Sequence, residues 1–412
     1  MNHKKPMILS PAGSFESMHA AISGGCDAFY FGVEQLNMRA RSTNNFTLSD
    51  LPQIAALARE KNVTCYLTLN TVLYDHDIRL MHQIVNACKE AGINAIIASD
   101  LAVISYCKNA GVPVHISTQA NVSNFETLEF YSPFADVVVL ARELTLSQVR
   151  AIAHEIERKK LKGPSGNLVK LEVFVHGALC MAVSGKCYLS LHSHYASANR
   201  GACVQNCRKS YIVTDKDDGN ELLVDNEYIM SAKDLCTIDF LDKIADSGAN
   251  VLKIEGRGRS PEYVYTVTKC YREAIDSIFN NTYSAEKITA WKSRLATVFN
   301  RGFWDGYYLG RTMGEWSDTY GSQATQKKIH IGKGLKYYDR SGSGEFVVEA
   351  HSLKAGEKIL ITGPTTGYLE LVADELRVDG CPVDEVRRGD IFTVKTGGRI
   401  RASDKIYKLV GV

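Results

Sequence analysis

Residues 63–99 read VTCYLTLNTVLYDHDIRLMHQIVNACKEAGINAIIAS. The opening VTCYLTLN is a short β-branched and apolar run of strand character. IRLMHQIVNACKEAG then places its apolar residues at helical spacing, entered after Asp77 and left at Gly92, and NAIIAS returns to a strand. Strand, helix and strand in that order is the unit of a parallel sheet. Working outward, similar runs recur at MILS (7–10), DAFYFG (27–32), VPVHIST (112–118), ADVVVLA (135–141), KLEVFVH (170–176) and NVLKIEG (250–256), with helical stretches such as LPQIAALAREK and LSQVRAIAHEIERKK between them. Eight strands with interleaved helices predict a β/α (TIM-like) barrel over residues 1–280.

The seventh unit is interrupted. Between KLEVFVH and SAKDLCTIDFLDKIADSGAN, which reads as a helix, lies a long insertion at about 176–230, where barrel loops are usually short. After 280, SAEKITAWKSRLATVFN and RGFWDGYYLG form a helical extension and connector over 281–325. From 326 to 412 the pattern changes to short alternating strands broken by Gly-containing turns, which predicts a small carboxy-terminal antiparallel β-barrel.

Composition narrows the function classes. The chain has 412 residues, 45% hydrophobic and 23% charged, with a formal net charge of +2. That is the make-up of a folded enzyme and excludes a disordered or low-complexity protein, and any nucleic-acid surface has to be a local patch. No run approaches the roughly 18 apolar residues of a membrane span. The basic start MNHKK leads into an apolar stretch too short for a signal peptide, so the expectation is a cytoplasmic protein with reduced thiols and no membrane partner.

Four of the eleven cysteines fall together in HGALCMAVSGKCYLSLHSHYASANRGACVQNC, residues 176–207. Six residues separate Cys180 from Cys187, fifteen separate Cys187 from Cys203, and three separate Cys203 from Cys207. Four thiolates suit a tetrahedral zinc or a 4Fe-4S cluster, and the spacings match neither zinc ribbons nor ferredoxins, so the metal stays open on this reading. Four unligated cysteines would be unusual in a Gly- and Ser-rich loop. Cys236, on the helix expected next, is the substitute fourth ligand. Cys26, Cys65, Cys88, Cys107, Cys270 and Cys381 lie on apolar periods and read as packing residues.

LEVFVHGALCMAVSGKCYLS followed by NRGACVQNC closely resembles the signature of the collagenase-like peptidase family of unassigned catalytic type. The resemblance takes in ILSPAGS, GGCDAFYFGV with NMRAR, ISTQANVSN, KIEGRGRSPEYV and FNRGF, roughly residues 7–310. It implies a 4Fe-4S cluster on Cys180, Cys187, Cys203 and Cys207, and hydroxylation in place of proteolysis. In length, in the order of the two barrels and in the Cys-x-x-x-Cys ending, the chain is most similar to members that convert the wobble uridine of tRNA to 5-hydroxyuridine with prephenate as hydroxyl donor and no dioxygen. Other members hydroxylate a ribosomal RNA cytidine or serve quinone synthesis. The resemblance also implies tRNA (the anticodon loop) and prephenate as partners, with an electron donor or cluster-assembly proteins as further ones.

A β/α barrel carries its active site at the carboxy ends of its strands. There the sequence puts Asn70, Gln119, Arg142 and His176, and after the last strand Glu255, Arg257 and Arg259. Forked guanidinium groups grip carboxylates in paired hydrogen bonds, which suits a dicarboxylate such as prephenate. Arg257 and Arg259 are the first candidates, with Lys253 in support and Arg39 and Arg41 as second candidates. Glu255 either shares in the chemistry or simply neutralises Arg257 or Arg142. His176 either donates a proton or a hydrogen bond to the cluster, or ends its strand as a structural histidine, and Asn70 and Gln119 either read a substrate carbonyl or cap loops.

Residues 176–211 contain Lys186, Arg200, Arg208 and Lys209 with Tyr188, Tyr195 and Tyr211 and not one Asp or Glu, a composition able to meet phosphates and stack a base. The same positive charge could instead offset that of thiolate ligands. In the tail, Lys327, Lys328, Lys333, Lys336, Arg387, Arg388, Arg399 and Arg401 are candidate tRNA contacts. Two competing functions stand beside hydroxylation. A peptidase lacks support in the motifs, because HEIER (154–158) misses the second His of HExxH and no GxSxG occurs. The other is an RNA-binding protein stapled by zinc.

Overall fold

The computed structural model describes residues 4–41, 45–212, 230–310 and 314–412. Strands β1 (Met7–Pro11), β2 (Ala28–Phe31), β3 (Thr64–Leu69), β4 (Ala95–Ala98), β5 (Val114–Ile116), β6 (Val137–Val139) and β7 (Lys170–Ala178) pair in sequence order, all parallel. Between them run α1 (Phe15–Ser23), α2 (Leu51–Glu60), α3 (Ile78–Ala91), α4 (Leu101–Ala110), α5 (Phe125–Tyr131) and α6 (Leu146–Lys159). Within the insertion lies α7 (Leu189–His194), and after it come β8 (Asp234–Cys236), α8 (Leu241–Ala245) and β9 (Val251–Ile254). Strand β9 pairs in parallel with both β7 and β1, which closes an eight-stranded barrel.

The local chemistry explains the helix boundaries. Ser14 caps α1 by accepting from the Ser17 amide, and Thr145 and Gln148 form a reciprocal capping box at α6. Gly92 and Gly111 end α3 and α4 in the left-handed conformation that glycine adopts without steric cost. Along each strand successive side chains face opposite sides of the wall. Ile8, Phe29 and Ile96 pack with the helices, whereas Leu9, Tyr30, Tyr66, Ile97 and Val251 form a separate cluster inside the barrel.

The segment after the insertion departs from the helix expected for 231–250. Residues 234–236 form β8, antiparallel to β7 with His176 opposite Cys236 and Ala178 opposite Asp234, and only 241–245 are helical. The cause is the length of β7. It runs past the barrel rim, its register with β9 shifts between Phe174 and His176, and the freed edge offers hydrogen bonds that outcompete a helix. Gly177, with φ +106°, makes this bend, because a Cβ there would press on the Glu255 carbonyl. Cys236 therefore sits on a strand and not on a helix.

Helices α9 (Pro261–Phe279) and α10 (Ala285–Ala296) and the short β10 (Phe303–Trp304), paired with β8, lead into the tail. There an eight-stranded antiparallel sheet wraps a core of its own that includes Ile331, Phe346, Ile361, Phe392 and Ile406. Its end strands, 367–372 and 381–383, are not bonded to each other. The sheet seats on α9 through Tyr368 stacked on Tyr265 at 4.3 Å and Lys328 paired with Glu262 at 2.8 Å, and on α1 where Gly367 lies against His19. Cys381 is exposed at the sheet's end, following the tight turn at Asp379 and Gly380, so the packing role expected for it does not apply.

Candidate functional site

The insertion is bolted across the barrel mouth. Arg41 donates its amide to the Gly201 carbonyl (3.2 Å), Val72 to Asn199 (3.1 Å), and the Asn121 side chain to Ser184 (3.0 Å). Arg142 donates to the Ser184 hydroxyl at 2.8 Å and to Ala178 at 3.4 Å, and Arg200 grips Asp77 with both nitrogens, at 2.7 and 3.3 Å. Arg208 donates to the carbonyls of Leu179, at 2.7 Å, and Ala232. Loops following β2, β3, β5 and β6 thus hold the cysteine segment over the mouth. Arg200 and Arg208, expected to meet RNA, are committed to this scaffold, whereas Lys186 and Lys209 are exposed.

Beneath the insertion lies a charged cluster. Arg39 and Glu255 pair at 2.9 Å, and the Tyr30 hydroxyl donates to the same carboxylate at 3.2 Å. Asn37, wholly buried, positions this arm by accepting from the Arg39 amide at 2.9 Å. Burial alone would raise the pKa of Glu255, but Arg39 above all, with Arg257 and Arg142, outweighs it and holds the carboxyl at about 2. Glu255 is therefore a carboxylate at neutral pH. Glu255 in turn raises the pKa of Arg39 against the effect of burial, and the Cys180 and Cys203 thiols act in the same sense.

Arg257 is the exception in this cluster. It is 6% exposed, yet its guanidinium makes no hydrogen bond and no ion pair among the described residues. Burial lowers its pKa to about 10, so it keeps its charge at neutral pH. Gly32 makes room for it, since a Cβ there would run into the guanidinium. Arg259 lies 3.5 Å from the centre of the Phe299 ring.

The other expected site residues lie as follows. Asn70 donates to Gln119 (3.2 Å) and accepts from the Met38 amide (3.3 Å), and Gln119 also pairs with Ser117, so the two amides brace the rim against the Gly185 turn. Arg41 is exposed. Lys253 points into the barrel and pairs with the fully buried Glu172 at 2.6 Å. His176, 1% exposed, packs among Tyr263, Tyr271 and Phe303, and burial with Arg259 nearby depresses its pKa to about 3. It is neutral at pH 7 and shut away from the mouth. Sequence reasoning missed Glu172, whose signal was an acid at an inward position of an apolar strand, and Asn37, whose signal was an amide in a loop that must turn sharply to aim Arg39.

The four clustered cysteines separate from the rest. Cys180 is exposed and Cys187, Cys203 and Cys207 are half-buried, whereas Cys236 is buried behind Tyr271. Burial raises the Cys207 thiol, Arg208 opposes this, and Cys180, Cys203 and Cys187 push it further up, so each of those three stands within electrostatic reach of Cys207. Cys236 takes no part in that group. Among the described residues, no three His, Cys, Asp or Glu side chains stand as ligands of one metal ion.

The family model described as Peptidase family U32 matches residues 13–318. A protein of Porphyromonas gingivalis named collagenase is 55% identical over 408 residues, 99% of both chains. The tRNA hydroxylation protein P of Helicobacter pylori is 35% identical over 315 residues, covering 74% of this chain and 72% of that one. The 23S rRNA 5-hydroxycytidine C2501 synthase of Escherichia coli is 30% identical over 315 residues, 75% of this chain and 46% of the relative. The chain belongs to peptidase family U32, the collagenase-like peptidases.

Proposed function

We propose that this protein is an RNA hydroxylase that forms 5-hydroxyuridine at the wobble position of tRNA, takes the hydroxyl from prephenate, and holds a 4Fe-4S cluster on Cys180, Cys187, Cys203 and Cys207. The observation that carries the reading is Arg257. A buried guanidinium that only feels Glu255 at a distance and has no hydrogen-bonded partner is costly unless an anion completes it, and this one lies in the mouth beneath the cysteine segment. Prephenate brings two carboxylates. Arg257 takes one in a forked pair of hydrogen bonds, and Arg259, braced on Phe299, takes the other. Glu255, fixed as a carboxylate, works by holding Arg39 in place and not by donating a proton. The names of the H. pylori and E. coli relatives support RNA as the acceptor class.

A single ion and a cluster ask different things of four thiols. One zinc draws four sulfurs to about 2.3 Å from a common centre, whereas a four-iron cube binds one thiolate per corner and accepts neighbours set wider apart. Bound there, such a cluster supplies a Lewis-acidic or one-electron centre for the transferred oxygen. The chain itself excludes water with the bolted insertion and orients the donor with its arginines.

The test is mass spectrometry of tRNA nucleosides from cells lacking this gene, complemented by wild type or Cys187→Ala, with iron and zinc measured on the purified proteins. Loss of 5-hydroxyuridine derivatives restored only by wild type, together with about four irons in the wild-type protein, is expected. Unchanged tRNA with altered ribosomal RNA or quinones would move the acceptor. Zinc with no modified product would favour a stapled RNA-binding protein, and collagen cleavage by the purified chain with unchanged tRNA would favour the activity named for the P. gingivalis relative.

A further inference from the structure

Helix α7 is anchored by two serines and mostly exposed. Ser190, buried, accepts the Val204 amide at 3.2 Å, and Ser193, itself exposed, receives the Asn206 side chain, which ties the helix to the Cys203–Cys207 segment. Tyr188 and Tyr195 bound α7 at its two ends, and Leu191 and His192, each three or four residues from both, lie between them to make one exposed stripe. All four are exposed, Tyr188 by 70% and Tyr195 by 95%, and among the described residues neither tyrosine ring meets another ring or a cation. Tyr195 is also held at φ +50°, at the end of α7 where glycine is the usual residue, by its amide bonding to Leu191 at 3.0 Å. A bulky side chain in that conformation, packed against nothing, is a cost the fold does not recover within itself.

We infer that the Tyr188, His192 and Tyr195 stripe is a stacking platform for unpaired bases of an RNA loop, fixed relative to the cysteine segment by Ser190 and Ser193. This inference rests on the RNA reading above and deepens it by naming where the loop is held. The chemistry of the stripe selects the partner. Flat rings with polar tips stack on any base, and exposed Lys186 and Lys209, with no Asp or Glu anywhere in 176–211, suit a phosphate backbone. Bases stacked there would hold the loop beside the mouth and leave a neighbouring nucleotide free to enter it.

Fluorescence anisotropy with a labelled anticodon stem-loop tests this, using the iron-loaded protein and its Tyr195→Ala, Tyr188→Ala and Tyr195→Phe variants. Each alanine variant is expected to bind about tenfold more weakly, the loss typical of a base–aromatic stack. Tyr195→Phe, which keeps the ring, stays within about twofold. Iron content and prephenate binding by calorimetry do not change. Alanine variants that bind like wild type, in a protein that still makes 5-hydroxyuridine, overturn the platform and leave the function standing. A wild-type protein that binds no stem-loop and modifies no RNA overturns both.

Discussion

The cysteine insertion and the carboxy-terminal sheet are both basic in sequence, and the structure treats their charge in opposite ways. In the tail several cations are answered close by. Lys333 pairs with Glu349 at 2.9 Å, Arg387 with Glu385 at 2.9 Å and Lys328 with Glu262 at 2.8 Å, while Arg399 is 3.9 Å from Asp339. In the insertion the two arginines are spent as bolts, and the two lysines stay exposed on a surface with no acid of its own. A count of Lys and Arg does not distinguish these cases. What a cation can do depends on whether a partner already holds it, and the barrel interior gives the limiting example.

Lys253 and Glu172 form a buried pair at 2.6 Å, with Lys253 also 4.7 Å from the centre of the Tyr30 ring. Lys253→Met strands a carboxylate in the barrel interior, and the expected loss is about 3–5 kcal/mol, read as a lowered denaturation midpoint. The double variant Lys253→Met with Glu172→Leu restores most of it, because an apolar pair of similar volume suits the interior. A single variant as stable as wild type would mean that the lysine is available to ligands after all.

Glu255 marks the next step down. Its pKa falls from an ordinary 4.5 to about 2 on folding, so the carboxylate stabilises the fold fully above pH 4.5 and loses that contribution as pH falls toward 2. The difference is roughly 3 kcal/mol at neutral pH. Glu255→Gln should therefore lower stability at pH 7 and match wild type near pH 2. Parallel curves across that range would remove Glu255 from the charged cluster.

The Arg200 to Asp77 bolt is worth less, about 2 kcal/mol for a charged hydrogen-bonded pair that is only partly exposed. Its removal acts on the insertion more than on the barrel. Arg200→Ala should speed protease cleavage within 176–212 while the global midpoint moves by only a few degrees. Equal protection of the two proteins would mean that the other bolts suffice.

The barrel was legible in the sequence because eight apolar runs alternate with amphipathic helices, and β1 to β7 and β9 lie in those runs. The cysteine group was legible because four thiols share one polar loop. What failed to show were partners distant in sequence. Nothing near residue 200 indicates that Asp77 will take Arg200, and nothing near 253 indicates Glu172. The run DLC at 234–236 was misread for the same reason. Its strand exists only because β7 overshoots the rim by enough residues to pair with it.

The smallest expected effect belongs to the tail. If its cations are satisfied by their own acids, Lys333→Ala and Arg387→Ala change stem-loop affinity by less than about twofold and leave its salt dependence unaltered, because a cation already paired releases few counterions from RNA. Lys186→Ala and Lys209→Ala in the insertion should each lower affinity several-fold and flatten the salt dependence, since an unpaired lysine on phosphate displaces a counterion. Binding measured from low to high salt compares the two regions directly. A reversed ranking would move the RNA surface to the sheet and leave the insertion's positive charge to the thiolates it surrounds.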